Sequence, residues 1–377
     1  MTNKKVGILT RRAGFNHGSS LQAFAMATFI SDAGYDCKVI NYDEYSGHPR
    51  WKIRPFIENI QWALYKFFPE ILRFGKYDYL SIRNSQYKRF NKFEKDYIPL
   101  TEKKYRNNRE LVSVSAKFDA IVCGSDQIWC PLLYDPVYLF NFLEEQDINT
   151  VAYAPSIGID DIKLIGTEER ELMNKVKHLS CREKQGAEMI KKITNRECPI
   201  VLDPTLMVSV EKWTELATSI YDIEKEPYIL CYFLGKNVHQ DYIDELKRKT
   251  GYKVLNILMF NRLNPLECDR KITDVGPIEF LNLIKNAAYV CTDSFHGAIF
   301  SFIFQRKLSL FERFKNGEKD NQNSRIHTLL KILKFHEALQ YDSDMPNINK
   351  NIDYATCHIV LKEWQEKSLQ YIKNALA

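Results

Sequence analysis

The stretch KKVGILTRRAGFNHGSSLQAFAMATFISDAGYDCKVINY, residues 4–42, decides the fold class. VGIL is a short apolar run. Glycines, Asn16 and two serines then mark a loop. LQAFAMATFISDA has helical periodicity and stops at Gly34, a residue suited to ending a helix. CKVINY reads as the next strand. Strand, glycine loop, helix and strand in that order form the βαβ unit of a parallel sheet. Residues just past the first strand then lie at the carboxyl end of the sheet, where open α/β sheets bind ligands.

The pattern returns along the chain. FDAIVCGSDQIW (118–129) is a strand opening into a polar loop, and NTVAYAPSIG (149–158) a strand ending in a turn. VKHLSCREKQGAEMIKKI (176–193) is a strand and then a helix, and CPIVLDPTLM (198–207) closes this half. The alternation restarts after SVEKWTELA (209–217) with PYILCYFLGKN, YKVLNILMF, AYVCTDS and KLSLF as strands and helical segments between them. The expected fold is α/β, with two Rossmann-like domains facing a cleft over residues 1–205 and 206–340. The tail 341–377 ends in a long helix expected to pack back toward the first domain. A chain of 377 residues suits two such cores better than one.

Composition narrows the class. Hydrophobic residues make up 45% and charged residues 27%, a soluble globular profile. No apolar run approaches the roughly 18 residues of a membrane span. The first apolar run flows straight into arginines, so no secretory leader is expected and the chain is placed in the cytoplasm. The 9 cysteines show no C-x-x-C pair or zinc spacing, and an odd number cannot all pair within one chain. Net charge is +5, but Arg50–Lys95 alone carries eleven basic against four acidic residues. This insertion, about 50–97, reads as helices rich in aromatic and basic residues. It is either a solvated face or a surface for the anionic inner membrane, with Trp51, Trp62, Phe67 and Phe68 at the interface. It lacks a nucleic-acid motif, and no nucleic-acid partner is expected.

The candidate chemistry lies in the turns. TDSFHGAIFSFIF (292–304) runs from a strand end through a polar turn into an apolar helix. Backbone N–H groups and the helix dipole meet there, which makes a natural anion site. Two readings of His296 stand: a packed turn residue, or a cation on that anion. Arg182 follows the strand HLSC, Arg313 and Lys315 follow KLSLF, and Arg325 stands just before a helix. On the other half, Asn16, His17 and Gln22 share a loop and helix start, and Ser125, Asp126, Gln127 and Trp129 share a second loop. Amides, a carboxylate and an aromatic face are what sugar binding needs. Alternatively, Asp126 caps a helix and Trp129 is core. Asp203, before Pro204, reads as a hinge or turn residue. Asp293 could orient His296 or cap the helix that follows.

Five segments in order, GFNHGSSLQAFAM (14–26), IVCGSDQIW (121–129), SCRE (180–183), VLDPTLM (201–207) and GPIEFLNLIKNAAYVCTDSFHGAIFSFIF (276–304), resemble the polysaccharide pyruvyl transferase family. The resemblance implies a glycosyltransferase-B-like fold, phosphoenolpyruvate as donor, and a pyruvyl ketal formed on a sugar, with galactose as the sugar suggested by the resemblance. It implies that His296 and Arg182 contact the donor, with Lys315, or Arg313 after a two-residue shift, as a further cation. Gly297 would let the phosphate approach the backbone. Many relatives read Arg-Leu-His where this chain has Ser294-Phe295-His296, so Arg182, Arg313, Lys315 and Arg325 must supply the missing charge around Ser294. His296 is expected as phosphate ligand and acid, and Asp126 as base. The acceptor, expected to be lipid-linked, falls to the first domain. Phosphoenolpyruvate serves as co-substrate, and neither cofactor nor metal is expected. A nucleotide-sugar glycosyltransferase and a non-catalytic saccharide-binding or assembly protein are the alternatives.

Overall fold

The computed structural model describes residues 4–12, 15–44, 73–74, 77–143, 147–220, 222–259, 264–315, 318, 321–341 and 344–377. The first half holds β1 (Lys5–Leu9), β2 (Asp36–Val39), the small antiparallel pair β3 (Arg73–Phe74) and β4 (Tyr77–Asp78), β5 (Ala120–Cys123) and β6 (Asn149–Ala152). Its main sheet is parallel in the order β2-β1-β5-β6. Single parallel bridges widen it at Val39–Leu100, Val151–His178 and Cys181–Ile200.

The second half holds β7 (Tyr228–Tyr232), β8 (Lys253–Ile257), β9 (Arg270–Ile272), β10 (Tyr289–Thr292), β11 (Lys307–Phe311) and β12 (Leu339–Gln340). Its sheet is parallel throughout, ordered β12-β11-β10-β7-β8-β9. That is the doubly wound order of dinucleotide folds, with the switch of direction between β7 and β10. The first half switches between β1 and β5. The central strands AIVC and YILCY are buried at every residue, as strands covered on both faces must be.

One apolar cluster spans both halves. The helix His17–Asp32 is buried from His17 to Ile30 because the second half packs on the face that would otherwise meet water. Phe24 meets Trp213 edge-on at 5.4 Å, and Trp213 meets Phe300 at 4.9 Å. Two helices strap the halves together. Tyr79–Tyr97 puts Phe93 against Phe24, while its Gln86 donates to Leu258 O and Thr273 O at 2.8 Å. The terminal helix Tyr354–Leu376 starts on the second half, where Tyr354 donates to Arg306 O at 2.6 Å. It ends on the first half, where Tyr371 donates to Ala152 O at 2.9 Å.

The basic insertion is seen only in part. Trp51, Trp62, Phe67 and Phe68 lie outside the described residues. Arg89 on the described helix pairs with Asp274 and Glu279 of the second half, so this cation binds protein. Among the described residues no helix is long and apolar enough to cross a membrane.

Candidate active site

The first crevice opens where β1 and β5 part. Gln22, fully buried, ties its loops together. Nε2 donates to Thr10 Oγ1 at 2.6 Å and Arg11 O at 2.7 Å, and Oε1 accepts from Ser125 N at 3.1 Å. Asp126 adopts a left-handed backbone with φ of 71°, which aspartate tolerates better than most residues. Its Oδ2 accepts from Ser19 Oγ at 2.5 Å.

The second crevice opens where β7 and β10 part. Asp293 does not orient His296. It clamps the loop after β7, accepting from Leu234 N at 2.7 Å and Gly235 N at 2.6 Å, and stands 3.5 Å from Arg313 Nε. A side chain at Gly235 would meet that carboxylate at 2.7 Å. Ser294 is the N-cap of the helix Phe295–Ile303, its Oγ accepting from Gly297 N at 3.2 Å.

The crevices meet at His296. Its ring lies on Gly18 so closely that a Cβ there would stand 2.1 Å from Nδ1. Nε2 points at Asp203 Oδ2, 3.6 Å away. The same Oδ2 accepts from Arg182 Nη1 at 2.7 Å and lies 3.2 Å from Ser125 Oγ. Phe295, next to His296, lies over the Arg182 guanidinium at 4.3 Å. Asp126 Oδ1 and Glu183 Oε2 stand 4.0 and 3.9 Å from Arg182 without hydrogen-bonding it. Arg182 Nε and Nη2 and His296 Nε2 are buried and have no hydrogen-bond partner.

Burial and charge compete here. Burial pushes the Asp203 carboxyl up, but His296, Arg182 and the Thr205 hydroxyl outweigh it and hold the group far below the usual range. Asp126 is likewise pushed up by burial and brought down further by Arg182, His296 and Ser19. Burial would strip the proton from Arg182, yet Asp203, Asp126 and Glu183 keep it charged. Arg325 falls the other way, to about 9, through burial and the cations of Arg182 and Arg313. The site therefore holds ionised carboxylates beside crowded guanidinium groups, a setting for an anionic ligand. A cleft of about 890 Å3 opens beside it, walled by Gln127 and Leu133 from the first half and Arg313, Lys315 and Gln322 from the second.

The profile described as polysaccharide pyruvyl transferase matches residues 16–308, which include Ser125, Asp126, Arg182, Asp203 and His296 but stop short of Arg313 and Arg325. The chain belongs to that family. It is thus one of a family of transferases, and the two switch points with His296 between them form its candidate site. Among curated proteins no relative is found. Solved structures match along the whole chain at low identity. Arabidopsis thaliana UGT89C1 complexed with UDP-L-rhamnose is 8% identical, covers 100% of both chains and gives a TM-score of 0.51. The Methanocaldococcus jannaschii UDP-GlcNAc 2-epimerase in complex with UDP-GlcNAc and UDP is 13% identical, covers 96% of this chain and 99% of its own, and gives 0.48. E. coli ADP-heptose lps heptosyltransferase II is 10% identical, covers 99% and 98%, and gives 0.40. The fold is glycosyltransferase-B-like, two Rossmann-like halves across a cleft.

Within this transferase, Arg182, His296, Ser125 and Asp126 come together, and Gln22 braces them. Arg325 is buried nearby with its fork on Gln322. Arg313 reaches the site edge through Asp293, whereas Lys315 is exposed on the cleft wall. Gln127 lines the cleft and donates to Gln322 Oε1 at 2.7 Å. Asn16 is an exposed N-cap, accepting from Ser19 N.

Three further expectations are corrected. His17 does not face a sugar; it is fully buried, stacked on Phe280 at 4.6 Å and bonded to Tyr232 OH. Trp129 is core, with Nε1 donating to Tyr138 O at 3.0 Å. Gly297 gives its N–H to the Ser294 cap, and its missing side chain makes room for Thr292, 2.8 Å from the Cβ position. Ser294 Oγ accepts that N–H and keeps its own O–H to donate. Asp203 is the residue the sequence reading missed. It sits in VLDPTLM, but Asp-Pro is foremost a turn signal and nothing local marks its second role.

Proposed function

We propose that this chain transfers the pyruvyl group of phosphoenolpyruvate onto a sugar of a surface-polysaccharide precursor, as a cyclic ketal with release of phosphate. The observation that carries this reading is the buried, unspent hydrogen-bonding capacity of Arg182 Nε and Nη2 and of His296 Nε2. Such groups are costly to bury unless a ligand meets them. Phosphoenolpyruvate supplies a carboxylate and a phosphate for that purpose. Arg325, Arg313 and Lys315 offer further positive charge where relatives carry an arginine and this chain has Ser294.

The donor methylene takes a proton and becomes a methyl group, leaving C2 oxocarbenium-like. One sugar hydroxyl bonds to C2 and gives up its proton. The bond from C2 to the phosphate oxygen breaks, and a neighbouring hydroxyl closes the ketal and gives up its own proton. One of the two hydroxyl protons balances that taken by the methylene, and the other leaves with phosphate. His296 holds the phosphate and supplies the proton, and Asp126, ionised beside Ser19, accepts one. The acceptor enters by the 890 Å3 cleft, whose rim exposes Leu132 and Leu133. An apolar rim suits a lipid-linked precursor at the inner face of the membrane.

The test mixes purified protein, phosphoenolpyruvate and a galactoside acceptor and follows phosphate release and acceptor mass. Acceptor-dependent release, with the acceptor gaining one pyruvyl group and both lost in His296→Ala, is the expected result. Turnover of a UDP-hexose, with none of phosphoenolpyruvate across a broad acceptor panel, would overturn the reading.

A further inference from the structure

We infer that Asp203 is the positioning residue of this site: its buried carboxylate sets the Arg182 guanidinium and the His296 imidazole against each other across the two halves. The inference rests on the pyruvyl-transfer reading only for what the site does, not for the geometry. The two oxygens of Asp203 have separate duties. Oδ1 caps its own turn, accepting from Thr205 N at 3.0 Å and Thr205 Oγ1 at 2.6 Å. A neutral Asn or Ser could cap the turn as well. Oδ2 takes no part in the turn. It faces Arg182 at 2.7 Å, Ser125 Oγ at 3.2 Å and His296 Nε2 at 3.6 Å. Asp203 is 2% exposed, and a charge buried that deeply is costly unless something needs it.

Two more contacts close the arrangement. Gly18 removes the side chain that would strike Nδ1, so the imidazole is seated between a bare helix turn and Asp203. Gly18 lies in a helix, where glycine is unfavourable, and space for His296 gives it a reason. Phe295 covers the guanidinium that Asp203 anchors. At 3.6 Å, Nε2 faces the Asp203 carboxylate without a hydrogen bond to it. The ring is aimed, and its nitrogen is left for the donor.

Asp203→Asn keeps the turn and removes the charge. A misplaced site loses about a hundredfold in kcat. KM for phosphoenolpyruvate should stay level or fall, because a carboxylate has left an anion site. A residue that only capped its turn would lower thermal stability and leave kcat per folded molecule within about threefold, an outcome that overturns the proposal. A second readout needs no turnover. In 15N-histidine-labelled protein, the His296 signals, identified by their loss in His296→Ala, should move in Asp203→Asn; unmoved signals overturn the proposal. If Asp203→Asn does not fold, Asp203→Ser caps the turn without the charge, and unchanged His296 signals with unchanged kcat overturn it equally. Wild-type protein that neither binds nor turns over phosphoenolpyruvate defeats the reading of the reaction, while the spectra still decide the role of Asp203.

Discussion

The two crevices share a topology and differ in what they spend. The crevice at β1 and β5 is filled by its own side chains, with Gln22 using both ends of its carboxamide on the loops it joins. The crevice at β7 and β10 clamps its loop with Asp293 and caps its helix with Ser294. Among the described residues neither crevice offers the bare glycine-rich turn that holds a phosphate in dinucleotide folds. The open groups of Arg182 and His296 lie where the halves exchange parts. Gly18 of the first half seats His296 of the second, and Phe295 of the second covers Arg182 of the first. The candidate anion site is a property of the contact rather than of either Rossmann-like unit.

Removing the shared cation breaks this comparison most severely. Arg182→Met leaves Asp203 buried without its ion pair, and breaking a buried pair from one side costs about 3–5 kcal/mol. Urea unfolding should show a loss of that size, and phosphate release from phosphoenolpyruvate should disappear. A soluble, stable Arg182→Met protein with normal turnover would mean that the halves do not share a site.

The contact also carries a pH signature. His17 is buried against Phe280 and Tyr232, and burial lowers its imidazole to about 4 from the ordinary 6.5. The unfolded chain takes up a proton near 6.5 while the folded protein resists until about 4. Stability is therefore complete above pH 6.5 and is lost as pH falls toward 4, by on the order of 3 kcal/mol. Denaturation midpoints measured across this window should slope, and His17→Gln should flatten the slope. An equal slope in the variant would assign the pH response to other groups.

Much of the fold was legible because strands covered on both faces read as unbroken apolar runs between polar turns, as in AIVC before Gly124 and YVC before Thr292. Their order was legible because βαβ units follow one hand and one sense. His296 and Arg182 could be singled out as candidates because each stands at a strand end beside a recognisable segment. His17 was misread because loop-and-helix patterning cannot reveal that a second domain will cover the loop, and Trp129 because nothing local shows that its loop folds back into the first half's own core. The helix from His17 shows the same effect, buried all round where one face was free to meet water. Asp203 was missed for the converse reason. Its local signal, Asp before Pro, is fully explained by its turn, and the partners of its other oxygen come from Arg182 and His296, far along the chain.

The straps test how far the halves depend on the core alone. Arg89 bonds Asp274 at 2.6 Å through Nε and also pairs with Glu279, but its side chain is 38% exposed. Water screens such a pair, so Arg89→Ala should cost about 1 kcal/mol at low salt and less at high salt. A salt-independent loss would point instead to packing of the helix Tyr79–Tyr97.

The smallest effect belongs to the rim. Gln127 Nε2 donates across the cleft to Gln322 Oε1, which also accepts from Arg325 Nη2 at 2.9 Å. Both glutamines are half-buried, so water can replace the lost amide in Gln127→Ala, and stability should fall by no more than about 1 kcal/mol. The binding consequence separates rim from cluster. If the acceptor passes between Gln127 and Gln322, KM for the galactoside changes while KM for phosphoenolpyruvate holds. If the donor constant moves as well, Gln322 is steering Arg325, and the rim belongs to the anion site.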